Sequence, residues 1–199
     1  MPTKLPFSAV VLAGGRSSRM GREKALLEVG GGPLWRRQRD VLRAAGAAEV
    51  FLSVRAEQAW RRGAEGFDGQ LLDAVEVGGP IIGVTAGLER AGERHVAALA
   101  VDLPRLPAEW FRRLRAECGP GVGAVGRRDG YFEPLAAIYP KELMLEACEA
   151  LVRAEFSLQK FVAAGVAAGR IRVCEIAADE AGWFENWNES PCRAVTSDE

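Results

Sequence analysis

Residues 7–15 read Phe-Ser-Ala-Val-Val-Leu-Ala-Gly-Gly. Apart from Ser8, the run from Phe7 to Ala13 is apolar, with β-branched Val10 and Val11; it shows no polar alternation and stops at Gly14-Gly15. A half-exposed strand alternates with period two. An apolar run without that alternation reads instead as a strand buried on both faces, as in a parallel sheet. The stretch that follows, Gly15 to Lys24, is glycine, serine and basic residues, and reads as a loop.

Working outward, Pro33 suits the first helical turn, and Leu34, Gln38, Val41, Leu42 and Ala45 recur at helical spacing up to Gly46. Val50–Val54 reads as a second strand and Glu57–Arg62 as a short helix. A weak strand at Gln70–Leu72 leads into Asp73, and Pro80 opens a helix to Arg90. Val96–Val101 is a wholly apolar strand ending at Asp102, and Pro107 starts a helix to Glu117. Val122–Val125 and Phe132–Tyr139 read as strands around the turn Arg128-Asp129-Gly130. Lys141–Arg153 and Leu158–Ala164 read as helices, and Arg170–Ile176 as a last strand. Strands alternating with helices predict an α/β protein with a mainly parallel sheet. With 199 residues and no repeat or linker, one domain over residues 1–199 is expected. Ligands of such sheets bind outside the carboxyl ends of the strands, where Gly14-Gly15, Asp73 and Asp102 all fall.

Composition narrows the function classes. A formal net charge of −1 gives no global electrostatic case for nucleic acid or an acidic membrane surface. The first apolar run is too short for a signal peptide, and no run approaches the ~20 residues of a membrane span. The four cysteines, Cys118, Cys148, Cys174 and Cys192, have neither CxxC nor zinc-like spacing. They read as free thiols, which favours a reducing compartment and a cytoplasmic protein. The single histidine, His95, precedes a strand in a polar context and reads as a surface or strand-edge residue rather than a general base. Trp35, Trp60, Trp110, Trp183 and Trp187 lie in different elements and read as packing rather than a stacking platform for nucleic acid.

The chemistry concentrates in residues 12–29, LAGGRSSRMGREKALLEV. Glycines let a backbone approach a ligand closely and turn N–H groups toward phosphate oxygens. Arg16, Arg19, Arg22 and Lys24 add cations suited to a triphosphate and to the pyrophosphate that leaves it. Composition alone also admits a solvated basic loop. Neither GxxxxGK[ST] nor GxGxxG is present. Asp102, taken alone, is either a helix cap or turn former, or a Mg²⁺ ligand at a strand end. Asp73, Asn186 and Asn188 are equally open to turn roles.

The order of residues in this loop resembles the signature LAGGxSxRMGxDKALL of the molybdenum cofactor guanylyltransferase family. Four further segments agree in family order: Leu71-Leu72-Asp73 with Gly79-Pro80-Ile81-Ile82-Gly83, Leu99 to Pro104, Glu133-Pro134-Leu135, and Phe184 to Asn188. Glu23 stands where the family usually has aspartate, Ser53 where relatives often have asparagine, and Trp187 where a small aliphatic residue is usual. Asn-Glu-Ser-Pro-Cys (188–192) replaces the usual Asn-Thr-Pro-Glu.

The resemblance implies a three-layer, Rossmann-like nucleotidyltransferase domain with a mixed, mainly parallel sheet. It implies transfer of GMP from GTP to molybdenum-bearing molybdopterin with release of pyrophosphate. It implies catalytic roles for Lys24, Arg19 and Asp102, with Mg²⁺ as cofactor on Asp102. Nucleotide contacts are implied for Leu12, Ala13, Gly14, Gly15, Lys24, Ser53, Asp73, Gly79 and Asp102, with Asn186 and Asn188 approaching the metal and substrate. Arg127 to Pro134, with the late asparagine turn, is expected to line the acceptor pocket. The alternatives are a nucleotidyltransferase using CTP or another acceptor, and a non-catalytic nucleotide-binding descendant. Cytidylyltransferases of the same route tend to begin LAAG, so Gly14-Gly15 favours guanine. The partners implied are small molecules, with room for transient contacts with other molybdenum cofactor proteins, and no nucleic acid or membrane.

Overall fold

A computed structural model describes residues 5–15, 23–73 and 78–187. Its elements in chain order are β1 (Ser8–Leu12), β2 (Glu28–Val29), β3 (Gly32–Pro33), α1 (Leu34–Ala45), β4 (Glu49–Val54), β5 (Gly69–Leu72), α2 (Ile81–Arg90) and β6 (His95–Ala100). There follow α3 (Ala108–Glu117), β7 (Gly123–Arg128), β8 (Tyr131–Phe132), β9 (Ala136–Pro140), α4 (Met144–Val152), α5 (Leu158–Ala167) and β10 (Ile171–Glu175). Short 3-10 turns cover Lys24–Leu26, Ala59–Gly63, Lys141–Leu143 and Ala178–Phe184.

One eight-stranded sheet runs in the order β10-β7-β9-β6-β1-β4-β5, with β8 paired to β7. β1 lies at its centre, parallel to β4 and β6. β9 is antiparallel to both β6 and β7, so the sheet is mixed but mainly parallel. The opening run behaves as its composition demands. Ala9 and Val11 pack into one cluster with Leu34, Trp35 and Leu42 of α1 and Trp110, Phe111 and Leu114 of α3. Val10 and Leu12 pack into the other, with Ile81, Val84 and Leu88 of α2, Ala147 of α4 and Phe161 and Val162 of α5. Alternate residues of a strand point to opposite faces, so helices on both faces require apolar side chains at every position. The result is the three-layer α/β architecture.

Helix α1 starts beside Pro33, which takes the N-cap position, and stops where Gly46 adopts φ 94°. Helix α2 lies close on the sheet because it is small on its inner face. A Cβ at Gly83 would come within 2.5 Å of Ser53 Oγ, and one at Gly87 within 3.0 Å of Val10 Cγ1.

Three local expectations change. The run Phe132–Tyr139 is two strands, β8 and β9, because Glu133-Pro134-Leu135 breaks it: Pro134 lacks a donor, and the Ala136 amide turns back to the Glu133 carbonyl at 3.1 Å. The β2–β3 hairpin was not expected; its strands are too short to carry a periodic signal. His95 is buried, not at the surface. It begins β6, and its Nε2 lies 2.9 and 3.1 Å from the carbonyls of Gly119 and Val122. Trp110 is fully buried, with its indole N–H on the Ala136 carbonyl, and the other tryptophans pack on the same cluster, as packing residues should. Among the described residues no helix is long and apolar enough to cross a membrane.

Candidate active site

The carboxyl ends of β1, β4, β5 and β6 open onto a cleft of about 380 Å³. Its lining includes Leu12, Ala13, Gly14, Gly15, Lys24, Ser53, Asp73, Gly79 and Asp102, so nine of the positions picked from sequence meet there. Chain polarity explains the convergence. Parallel strands end on one edge, and each is followed by a loop that can turn its first residues inward.

Each wall has its own cause. On β1, Leu12 to Gly15 form the floor, held by the Ala13 amide on the Ser53 carbonyl at 2.9 Å. A Cβ at Gly14 would fall on the Asp73 carboxylate, so any larger residue here must push that side chain aside. After β5, Asp73 accepts a hydrogen bond from Ser53 Oγ at 2.9 Å. Burial pushes its carboxyl above the usual carboxylate range, opposed by that hydrogen bond and by the nearby Arg55 cation. Gly79, at φ 63°, turns the chain into α2 across the cleft. After β6, Asp102 meets Lys24: Nζ and Oδ2 are 3.0 Å apart, and both side chains are about a quarter exposed at 22% and 24%. This is a half-open ion pair facing the cleft. A cation and a carboxylate held together at a strand end can re-partner when a polyanion and its counter-ion enter.

Two residues not foreseen from sequence complete the floor. Arg55 directs Nη1 to the Gly14 carbonyl at 3.0 Å and lies 3.7 Å from Glu23. The buried Gln58 donates to the Ala13 carbonyl at 3.1 Å and to Glu23 at 2.8 Å. The Glu23 carboxylate therefore ties the residue before Lys24 to the segment after β4. The available signal was Arg55's position, one residue beyond a parallel strand's carboxyl end.

Other expectations fall differently. Arg19 and Asn188 lie outside the described residues, as do Arg16, Arg22 and Cys192. Asn186 is exposed and does not line the cleft. Its neighbour Trp187 does touch the site, through its amide on the Asp102 carbonyl at 3.0 Å. Arg127 to Pro134 does not line the cleft either. Arg127 pairs with Glu175, and Arg128 donates to the Ala181 carbonyl, so this turn closes on the C-terminal segment. Only Leu135 of that neighbourhood reaches the cleft wall.

Among the described residues no group of three candidate metal-ligating side chains occurs. The carboxylates at the cleft are Asp102, Asp73 across the floor, and Glu23, which Gln58 and Arg55 already engage. That suits Mg²⁺, which keeps its waters and is held by one or two carboxylates and substrate phosphates rather than by a protein cage.

Comparison with known proteins agrees with this geometry. Residues 9–169 match the MobA-like NTP transferase domain. The chain is similar to the probable molybdenum cofactor guanylyltransferase of Opitutus terrae, 45% identical over 185 residues that cover 92% of this chain and 90% of that protein. It is also similar to the molybdenum cofactor guanylyltransferase of Pseudomonas putida GB-1, 33% identical over 157 residues, 78% of this chain and 81% of that one. Among solved structures, molybdopterin-guanine dinucleotide biosynthesis protein A of Archaeoglobus fulgidus shares the fold with a TM-score of 0.70, at 21% identity over 91% of this chain and 92% of that chain. The match spans every strand of the central sheet but the last, and it contains all the residues that line the cleft: this chain belongs to the MobA-like NTP transferase family.

Proposed function

We propose that the protein transfers GMP from GTP to the terminal phosphate of molybdenum-loaded molybdopterin and releases pyrophosphate. The observation that carries this reading is the Lys24–Asp102 pair, 3.0 Å apart at the mouth of a glycine-floored cleft. The similar proteins of Opitutus terrae and Pseudomonas putida, named as guanylyltransferases of that cofactor, support the choice of base and acceptor.

An acceptor phosphate oxygen forms the new bond to the α-phosphorus of GTP. The bond from that phosphorus to the bridging oxygen of the β-phosphate breaks, and its electron pair leaves with pyrophosphate. The nucleophile is already ionised, so the site needs no general base. It needs alignment and neutralisation of charge. Lys24 neutralises the triphosphate, helped by Arg19 from the same loop. The backbone of Leu12 to Gly15 seats the nucleotide, and Ser53, Asp73 and Gly79 surround the base and ribose. Asp102 would hold Mg²⁺, which when bound screens the attacking and α-phosphate oxygens. Asn186 and Asn188 are assigned to the acceptor side on resemblance. A cytoplasmic setting is in keeping with Cys118, Cys148 and Cys174 as free thiols.

The test is pyrophosphate release with GTP, CTP, ATP or UTP, each with Mg²⁺ and molybdenum-loaded molybdopterin. Release with GTP alone is expected. Release with CTP would move the protein to cytidylyl transfer at the same site. GTP binding without release would make it a binding protein or one with another acceptor.

A further inference from the structure

Asp102 sits in a turn, and a turn does not by itself aim a carboxylate. The four carbonyls from Ala100 to Leu103 are all engaged. Trp187 takes that of Asp102. The other three face one side chain, Gln38 of α1, whose Nε2 lies 3.3 Å from the Ala100 carbonyl, 3.3 Å from Val101 and 2.8 Å from Leu103. Gln38 is fully buried at 0% exposure. Its neighbour Arg37 donates to the carbonyl of Pro104, so two successive residues of one helix staple one loop.

The chemistry leaves little freedom in this arrangement. An amide nitrogen has two hydrogens, so one goes to Leu103 and the other is shared between Ala100 and Val101. The reversed amide would set an oxygen against three carbonyl oxygens, which fixes its orientation. In the present orientation Oε1 has no partner among the described residues. A leucine or valine here would serve the apolar face of α1 better, but it would take this donor from the carbonyls of Ala100 and Val101 and leave that of Leu103 with only the longer bond from the Leu106 amide, at 3.3 Å. Packing therefore does not account for the amide, whereas the turn it holds does.

We propose that Gln38 is a positioning residue for nucleotidyl transfer: it locks the turn at residues 100–103 and so directs the Asp102 carboxylate at the metal and Lys24. The inference rests on Asp102 belonging to the reaction centre.

The test compares the wild type with Gln38→Met, Gln38→Glu and, as a control on the site itself, Asp102→Ala. Gln38→Met keeps the length and loses both N–H groups. It is expected to lower kcat about 10- to 100-fold, as outer-shell partners of metal ligands do, with KM for GTP little changed. Mn²⁺ affinity in the presence of GTP, read by water-proton relaxation, should weaken roughly in parallel. Gln38→Glu separates positioning from folding. Its protonated carboxyl can donate to one carbonyl, and its carboxylate repels all three. Its activity relative to wild type should therefore rise as pH falls, and that of Gln38→Met should not.

Asp102→Ala inactive, with Gln38→Met at wild-type kcat and Mn²⁺ affinity, overturns the proposal and leaves the site intact. Asp102→Ala active removes the site on which the proposal rests. If Gln38→Met does not fold, a flat pH ratio for Gln38→Glu overturns the proposal equally.

Discussion

The two edges of the same sheet carry polar residues to opposite ends. At the amino ends of β1, β4 and β6 stand Ser8, Glu49 and His95. Ser8 Oγ donates to Glu49 at 2.7 Å, the Gly92 amide donates to the same carboxylate at 2.8 Å, and His95 is closed between two carbonyls. At the carboxyl ends stand the buried Ser53 and the partly exposed Asp73 and Asp102, all lining a cleft, with Asp102 facing Lys24. The first set is engaged by its own neighbours. The second keeps acceptors and a cation turned to a space that protein does not fill. One edge spends its polar groups on holding strands together, and the other holds them ready for a ligand.

Carboxylate behaviour follows the same division. The Ser8 hydroxyl, and then the Gly92 amide, hold Glu49 below its ordinary value. Its contribution to stability is present above the usual carboxylate range and is lost as pH falls through the depressed folded value. Asp73 runs the other way. Burial raises it, so its effect favours the fold in acid and is lost as pH rises through the raised folded value.

Substitutions should separate the edges. Asp102→Asn or Lys24→Ala is expected to cost about 2–4 kcal/mol of transition-state stabilisation, roughly 30- to 1,000-fold in kcat/KM, with the melting temperature nearly unchanged. Steady-state pyrophosphate release measures this, and near-wild-type turnover would reduce the open edge to a surface ion pair. Gly14→Ala must push the Asp73 carboxylate aside, and should weaken GTP binding by about 1–3 kcal/mol in titration calorimetry.

Ser8→Ala reverses the pattern. It removes a buried hydroxyl that serves Glu49 and the Glu93 amide, and should lower stability by about 1–2 kcal/mol in urea unfolding with kcat/KM intact. A loss of activity without loss of stability would erase the distinction between the edges. The smallest effect is expected at Asp73→Asn. It replaces a half-buried carboxyl whose charged form burial disfavours, and should raise the melting temperature by roughly 1–4 °C while nucleotide affinity falls. Its stability gain should vanish in acid, where Asp73 is itself protonated.

Much of the cleft is legible in the sequence. Gly14, Gly15, Asp73 and Asp102 stand at strand ends, and strand ends are readable from short apolar runs and the residues that stop them. Arg55, Gln58 and Gln38 were not legible as site residues. Gln38 even belongs to the apolar stripe of α1, so periodicity turned it inward without naming the three carbonyls it would meet. His95 misled for the complementary reason. Its polar neighbours in sequence suggested surface, yet the carbonyls of Gly119 and Val122 come from beyond the next helix and supply the partners that permit burial.

Strand and helix periods, the buried character of β1, the glycine floor and the residues that stop each strand are local quantities, set by what a few neighbouring side chains can tolerate. They were present in the chain as written. Which charges meet, which amide holds Asp102, and which edge is left open depend on residues brought together across the sheet. Hydrogen bonds and ion pairs act over about 3 Å, and no spacing along the chain encodes a distance that folding alone creates.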